Sequence, residues 1–419
     1  RIYEYNGTHG SYQFSTATGT NNPRSFTTLA GLSAPTTLTI TTDATAQNSN
    51  TFPVTWSTVT GATGYKFDVD DNNDFSSPLS EYTDIDVGNT TSWELYLPIA
   101  GTYYVRVKAY NSSENSPYNS TSFAVTASMP PKFLAGDAPT LTEKASPNYG
   151  FFDITLTFDQ PVYANNDGTG DLTTSDFAVA APSSGDNASG KVVITAVSHS
   201  AGSNTAVVTV QFNDRVTTSE KFRIAPANNT SIYSAVIAPA SAGVPMDVAL
   251  QTTKGGQYSA DITCPDLSVL NTTDNIAFGT IQKAIDATTT GVNETIQLKD
   301  GTTYSENVTV NKAVTLTDQG VTNATVSGTW TLGGTSDVNL SGGTITISGL
   351  VFNLSSVTNS ILVSNVYNGT VSIQGNTFYL YSSKQAISVQ GDRGSGDLTN
   401  LNIGTTSANT FSGTAGTAI

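Results

Sequence analysis

Between Phe278 and Gly320 the spacing of apolar residues changes from helical to alternating. Phe278, Ile281, Ala284 and Ile285 fall three or four residues apart and predict a short amphipathic helix over 278–287. Beyond it the pairs Ile296/Leu298, Val308/Val310 and Val314/Leu316 enclose single polar residues, the pattern of short strands that bury one face. A loose repeat follows. TISGLVF, SIQGNTF and ANTF end in Phe352, Phe378 and Phe411, which are 26 and 33 residues apart. That spacing predicts successive coils with the three rings stacked inside, and an internal ladder from Asn376 and Asn409, each two residues before its phenylalanine.

The earlier chain alternates as well. Leu38/Ile40, Val54/Trp56, Tyr65/Phe67/Val69, Val105/Val107 and Phe123/Val125 predict strands separated by turn residues over 34–127. Met129-Pro130-Pro131 reads as a stiff linker. A second all-β unit over 132–258 follows from Ile154/Leu156/Phe158, Val208/Val210/Phe212 and Phe222/Ile224. Residues 1–33 form a strand-rich arm too short to hold a core of its own.

Three resemblances attach to these segments. VTWSTVTGATGYKFDV and LPIAGTYYVRVKAYN resemble the B–C hairpin and the E–F corner of a fibronectin type III domain. That resemblance implies a core aromatic at Trp56 and a corner tyrosine at Tyr103 whose hydroxyl bonds back to the backbone. FFDITLTFDQPV and GDLTTSDFAV resemble the immunoglobulin-like repeats of large bacterial surface proteins. The segment 264–419, with DGTTYSENVTV after its helical cap, resembles a right-handed parallel β-helix of the pectin-lyase-like kind. The fold class expected is therefore all-β: two immunoglobulin-like β-sandwiches followed by a parallel β-helix, incomplete at its C-terminus.

Composition narrows the class of function. Charged residues make up 12% of the 419-residue chain, against about 25% in ordinary soluble proteins. The net charge of −16 argues against a nucleic-acid partner, and no apolar run is long enough to span a membrane. The single cysteine, Cys264, has no intrachain partner and is expected as a buried thiol or, less readily, an interchain bridge. The start at Arg1, with neither methionine nor signal peptide, reads as a processed or excerpted chain. Asn-x-Ser/Thr sequons at Asn6, Asn89, Asn111, Asn119, Asn187, Asn228, Asn229, Asn271, Asn293, Asn307, Asn323, Asn339, Asn353 and Asn368 are glycosylation candidates in an exported protein.

Candidate chemistry is sparse. Enzymes on the parallel β-helix fold gather carboxylates from neighbouring coils, but here only Asp392, Arg393 and Asp397, in GDRGSGD, bring acids and a base together, all in one loop. His9 and His199 stand far from that segment in sequence, and no GxSxG, HExxH, Walker A or CxxC motif occurs. One metal candidate remains. Asp68, Asp70, Asn72, Asp74 and Glu81 place oxygen ligands at alternating positions that suit calcium, although Phe75 stands where such a loop places glycine. Calcium is the sole cofactor expected.

The function expected is that of an extracellular structural protein, a subunit or fragment of a cell-surface assembly such as an S-layer or filament. It is not expected to be an enzyme; self-assembly supplies its partners. Two alternatives stand beside this: an adhesin that holds a glycan or host protein through the β-helix or the fibronectin-like domain, and a polysaccharide lyase or hydrolase whose catalytic coils lie outside the chain.

Overall fold

The computed structural model describes residues 31–126, 128–134, 139–234, 244–246, 258–287, 289–355, 359–390 and 400–413. The chain is all-β and divides into two compact units, Arg1–Ala127 and Ser128–Ile419. Most of the arm read at 1–33, with Asn6 and His9, lies outside the described residues, as do Asp392, Arg393 and Asp397.

In the first unit two antiparallel sheets share one core. One has three strands, in the order Leu38–Ile40, Thr51–Trp56 and Ser92–Tyr96; the other has four, in the order Ile85–Gly88, Gly64–Asp70, Gly101–Tyr110 and Asn119–Val125. Alternate residues turn inward, so Phe52, Val54, Trp56 and Leu95 meet Phe67, Val69, Val105 and Val107. The Trp56 ring stacks on Phe67 at 6.3 Å, and the Tyr103 hydroxyl donates to the carbonyl of Ile99 at 3.0 Å. One element escaped the alternation pattern, a six-residue helix over Ala44–Ser49. Asp43 caps it by accepting from the Ala46 N–H at 2.9 Å, and Asn50 ends it in the left-handed region. The helix is too short to show an apolar period; its cap residue is the only signal.

The second unit begins with a four-stranded antiparallel sheet, in the order Val192–Ser198, Thr205–Phe212, Phe151–Thr157 and Leu141–Glu143. Against it lies a smaller sheet centred on Glu220–Pro226. Ile262, Cys264 and Leu267, beyond the sequence boundary at 258, pack in the core of these sheets, and Ile262–Thr263 pairs with Lys221 and Phe222.

The strands Val269–Asn271 and Ile276–Phe278 are the wall between two cores. Neighbouring strand residues point to opposite faces. Val269, Ile276 and Phe278 accordingly join the core of the segment that follows, while Leu270 and Ala277 join the core that precedes. Polar ties reinforce the wall: Arg215 donates to the carbonyls of Ser268 and Gln297, and Lys283 pairs with Glu143.

From Glu294 onward the chain visits three sheets in rotation. The seven-stranded sheet takes Ile276–Phe278, Val269–Asn271, Glu294–Leu298, Val314–Thr317, Thr344–Ser348, Thr370–Gln374 and Asn400–Ile403; all pairs after Val269–Asn271/Glu294–Leu298 are parallel. The five-stranded sheet takes Thr303–Tyr304, Thr325–Val326, Val351–Asn353, Thr377–Leu380 and Thr410–Gly413. The four-stranded parallel sheet takes Val308–Val310, Trp330–Asn339, Asn359–Tyr367 and Gln385–Val389. Phe352, Phe378 and Phe411 stand in register, with ring centroids 4.9 and 5.2 Å apart and planes 11° from parallel. Asn376 and Asn409 form the expected ladder beside them. The Asn409 Oδ1 accepts from the Asn376 N–H, and the Asn376 side chain accepts from Leu350 N–H and donates to Ile347. The helix is shorter than its period suggested, covering Ile281–Asp286. Thr280 caps it, and Phe278 is the last residue of a strand.

Asn376 is 1% exposed and serves backbone groups in the preceding turn and in its own. Asn376→Ala leaves those groups unpaired and lowers unfolding stability by about 2–4 kcal/mol, read from the urea midpoint of the second unit.

Candidate functional site

The five oxygen ligands expected for calcium lie on the strand Gly64–Asp70 and the loop after it. Asp68 is 2% exposed on the outer side of the four-stranded sheet of the first unit. Its Oδ1 accepts from the Asp84 N–H and its Oδ2 from Arg106 Nε at 2.7 Å. Asp70 accepts from the N–H groups of Asn72 and Ser77, and Asp74 from that of Ser76. That bond also holds the Asp74 carboxyl below its ordinary range. Glu81 sits apart, in a one-turn helix at Ser80–Tyr82. Among the described residues, no three histidine, cysteine, aspartate or glutamate side chains gather where a metal could be held. Asp70 and Asp74 are engaged by the loop's own N–H groups and Asp68 by Arg106, a donor set that does not fit calcium. Alternating spacing cannot distinguish carboxylates that converge from carboxylates that cap their own turn.

Phe75 explains how the loop closes without the glycine. Its φ is +52°, a left-handed conformation uncommon for a bulky residue. The ring lies 4.3 Å from the Arg106 guanidinium, which also lies 4.2 Å from the Tyr118 ring. Two cation–π contacts and the Asp68 ion pair fix Arg106, and Arg106 in turn fixes Phe75. Nearby, Lys66 and Lys108 both reach Asp84, and the Tyr110 hydroxyl reaches Asp86. Partial burial would raise the Asp84 carboxyl, but hydrogen bonds from the two lysines bring it below the usual range.

Other candidates are also engaged structurally. His199 accepts from the Leu172 N–H at Nδ1 and faces the Ser203 carbonyl at Nε2. Within DGTTYSENVTV, Asp300 accepts from the N–H groups of Gln319, Val321 and Thr322. Tyr304 donates to Ser268, Glu306 accepts from the first two N–H groups of the helix at Ile281, and Asn307 accepts from Thr329. Each polar residue of the motif so named binds backbone in a neighbouring turn.

Among the buried groups with shifted proton affinities are a thiol and a carboxyl. Burial pushes the Cys264 thiol up to about 12, and the nearby Glu220 charge adds to the shift. Asp318, which the sequence did not single out, is 7% exposed, and its Oδ2 has no hydrogen-bond partner; burial and then Asp300 raise its pKa.

The sequons divide by exposure. Asn271 is fully buried and its amide donates to Thr290 and Glu294, so it is no acceptor for a glycan in the folded chain. This corrects the expectation for that residue. Asn111, Asn119 and Asn353 are half-buried, and the amides of the first two are donated to Gly61 and Pro35. Asn89, Asn187, Asn228, Asn229, Asn293, Asn307, Asn323, Asn339 and Asn368 are exposed.

No family model matches the chain, and no curated protein matches it. Among solved structures, it is similar to the chicken interferon gamma receptor alpha chain at 12% identity, over 51% of this chain and 100% of that one, with a TM-score of 0.19. An α-L-rhamnosidase from Dictyoglumus thermophilum is 9% identical over 57% of this chain and 36% of its own, at a TM-score of 0.18. That of Streptomyces avermitilis, complexed with L-rhamnose, is 11% identical over 57% and 29%, at 0.16. The match thus spans about a third of each rhamnosidase. Likeness at these scores carries no argument about fold or activity.

Asp68→Ala removes the anion from Arg106 and the acceptor from Asp84. Because the Arg106 side chain is 24% exposed, the expected loss is about 2 kcal/mol, below the 3–5 of a fully buried pair. Calcium or a chelator leaves the wild-type melting temperature unchanged in calorimetry. Cys264 provides a second check. Its folded pKa lies above the ordinary value of about 8.5, so its contribution to stability is complete below that pH and is lost as pH rises toward about 12. Alkylation at pH 8 is therefore expected to follow unfolding, with no label on the native chain and full label past the urea midpoint.

Proposed function

We propose that this chain is an extracellular structural protein, a subunit or piece of a cell-surface assembly such as an S-layer or filament. In this reading 34–127 is a fibronectin type III-like sandwich, 132–258 extended through Leu267 is an immunoglobulin-like sandwich, and the segment expected at 264–419, which begins after Leu267, is a right-handed parallel β-helix. The observation that carries it is how the polar side chains are used. Asp68, Asp300, Glu306, Asn307, Asn376 and His199 each hold backbone or a neighbouring side chain in place. Side chains so engaged serve rigidity rather than turnover. Exposed sequons, chiefly on turns of both units, agree with an exported glycoprotein.

Strand edges are the route that this reading gives to assembly. Among the described residues, Asn400–Ile403, Thr410–Gly413 and Gln385–Val389 each pair on one side only. Phe411, 37% exposed, ends the ring stack beside them. An edge strand can accept a further strand, and in this reading a second copy of the chain supplies it.

The full chain is expected to associate with rising concentration in light scattering and to form ordered arrays or filaments in micrographs. Phe411→Lys places a charge on the edge and weakens association about tenfold or more. A wild-type monomer at all concentrations would overturn the reading.

A further inference from the structure

The outward positions of four strands in the seven-stranded sheet form an uncharged block rich in hydroxyl residues, which are half-buried except for Ser372, which is 9% exposed. In the strands Val314–Thr317, Thr344–Ser348, Thr370–Gln374 and Asn400–Ile403, the inward positions are Leu316, Ile347, Ile373 and Ile403, in one register. The residues between them face out. One row across the strands runs Thr315, Thr346, Ser372, Asn402; Thr344, Thr370 and Asn400 form a second, Ser348 pairs with Gln374, and Thr317 ends the first strand. No formal charge occurs in this block, although the chain carries −16 overall. None of these seven hydroxyls has a hydrogen-bond partner among the described residues. Elsewhere hydroxyls are tied down, as Ser327 is to Ser305 and Thr209 to Asp153.

We propose that this face binds ice. Three physical arguments support it. First, the grid repeats at about 4.8 Å across strands and about 6.6 Å along them. Water joined tetrahedrally by hydrogen bonds of about 2.75 Å has second neighbours at about 4.5 Å and a layer-stacking repeat of about 7.3 Å. The two lattices agree to within about a tenth in each direction, close enough for several adjacent hydroxyls to meet lattice waters together. Second, threonine is β-branched and stiff at χ1, so its hydroxyl and methyl are already placed and little rotamer freedom is lost on contact. Third, charge matches: a neutral lattice offering both donors and acceptors suits unpaired neutral hydroxyls, which are themselves both donor and acceptor. A sugar chain would call for aromatic platforms or charged planar groups, and the block has neither.

The test uses the full chain and ice grown slowly from dilute solution. Wild-type protein is expected to be incorporated into the ice and to slow coarsening of ice grains in an annealed frozen film. Thr346→Lys, at the centre of the grid, lowers the incorporated fraction about tenfold. Thr309→Lys, an outward position on the four-stranded parallel sheet, leaves it at the wild-type level. Both side chains point away from the core, and equal urea midpoints for the three proteins establish that the fold is kept. Exclusion of the wild type from ice overturns the proposal, as does undiminished incorporation of Thr346→Lys. Retention on insoluble cellulose or chitin with exclusion from ice would assign the face to a glycan and equally overturn it. Self-association, read from Phe411→Lys, is independent of these outcomes.

Discussion

A chain that turns between stacked parallel strands must find partners for the N–H and C=O groups that its ladders do not reach. In the second unit several carboxylates and amides at corners answer that need. Asp300 gathers three N–H groups of the following turn, Glu306 takes two from the start of a helix, and Asn307 reaches the turn above. Asn376 does the same inside, where no water competes. Each turn is thereby fastened to the next by side chains as well as by strand pairing. Removal of the Asn376 side chain would leave a buried donor and a buried acceptor unpaired, which costs more than the bonds themselves contribute.

The wall at Val269–Phe278 extends that fastening beyond one core. A strand whose alternate residues enter different cores cannot leave one without uncovering the other. Phe278 also lies so close to Gly150 that a Cβ there would fall 2.8 Å from the ring. The antiparallel sheets and the rotating sheets therefore form one mechanical body, held by apolar faces in the middle and by Arg215 and Lys283 at the rim.

Much of this was legible in the sequence, for a physical reason. Alternation reports one-sided burial, so pairs such as Val54/Trp56 and Val208/Val210 mark their strands directly. The phenylalanine spacing marks the ring stack and its asparagines because both sit at the same point of successive turns. Features that depend on direction were not legible. Asp68, Asp70 and Asp74 have the spacing of ligands, yet their oxygens point at N–H groups and at Arg106. The left-handed Phe75 and the buried Asp318 carry no local signal, since tertiary neighbours set them. Asn271 reads as any other sequon, and only its position against Thr290 and Glu294 removes it from the surface.

The ring stack has one more consequence. Phe352 and Phe378 are separated by 26 residues and Phe378 and Phe411 by 33, yet the two ring pairs overlap almost identically. The added residues are absorbed outside the strands that hold the rings in register. Evolution can therefore lengthen or replace the loops between strands, and with them whatever those loops present, while selection on the interior stays unchanged. Such a molecule is free to diversify at its periphery at little cost in folding.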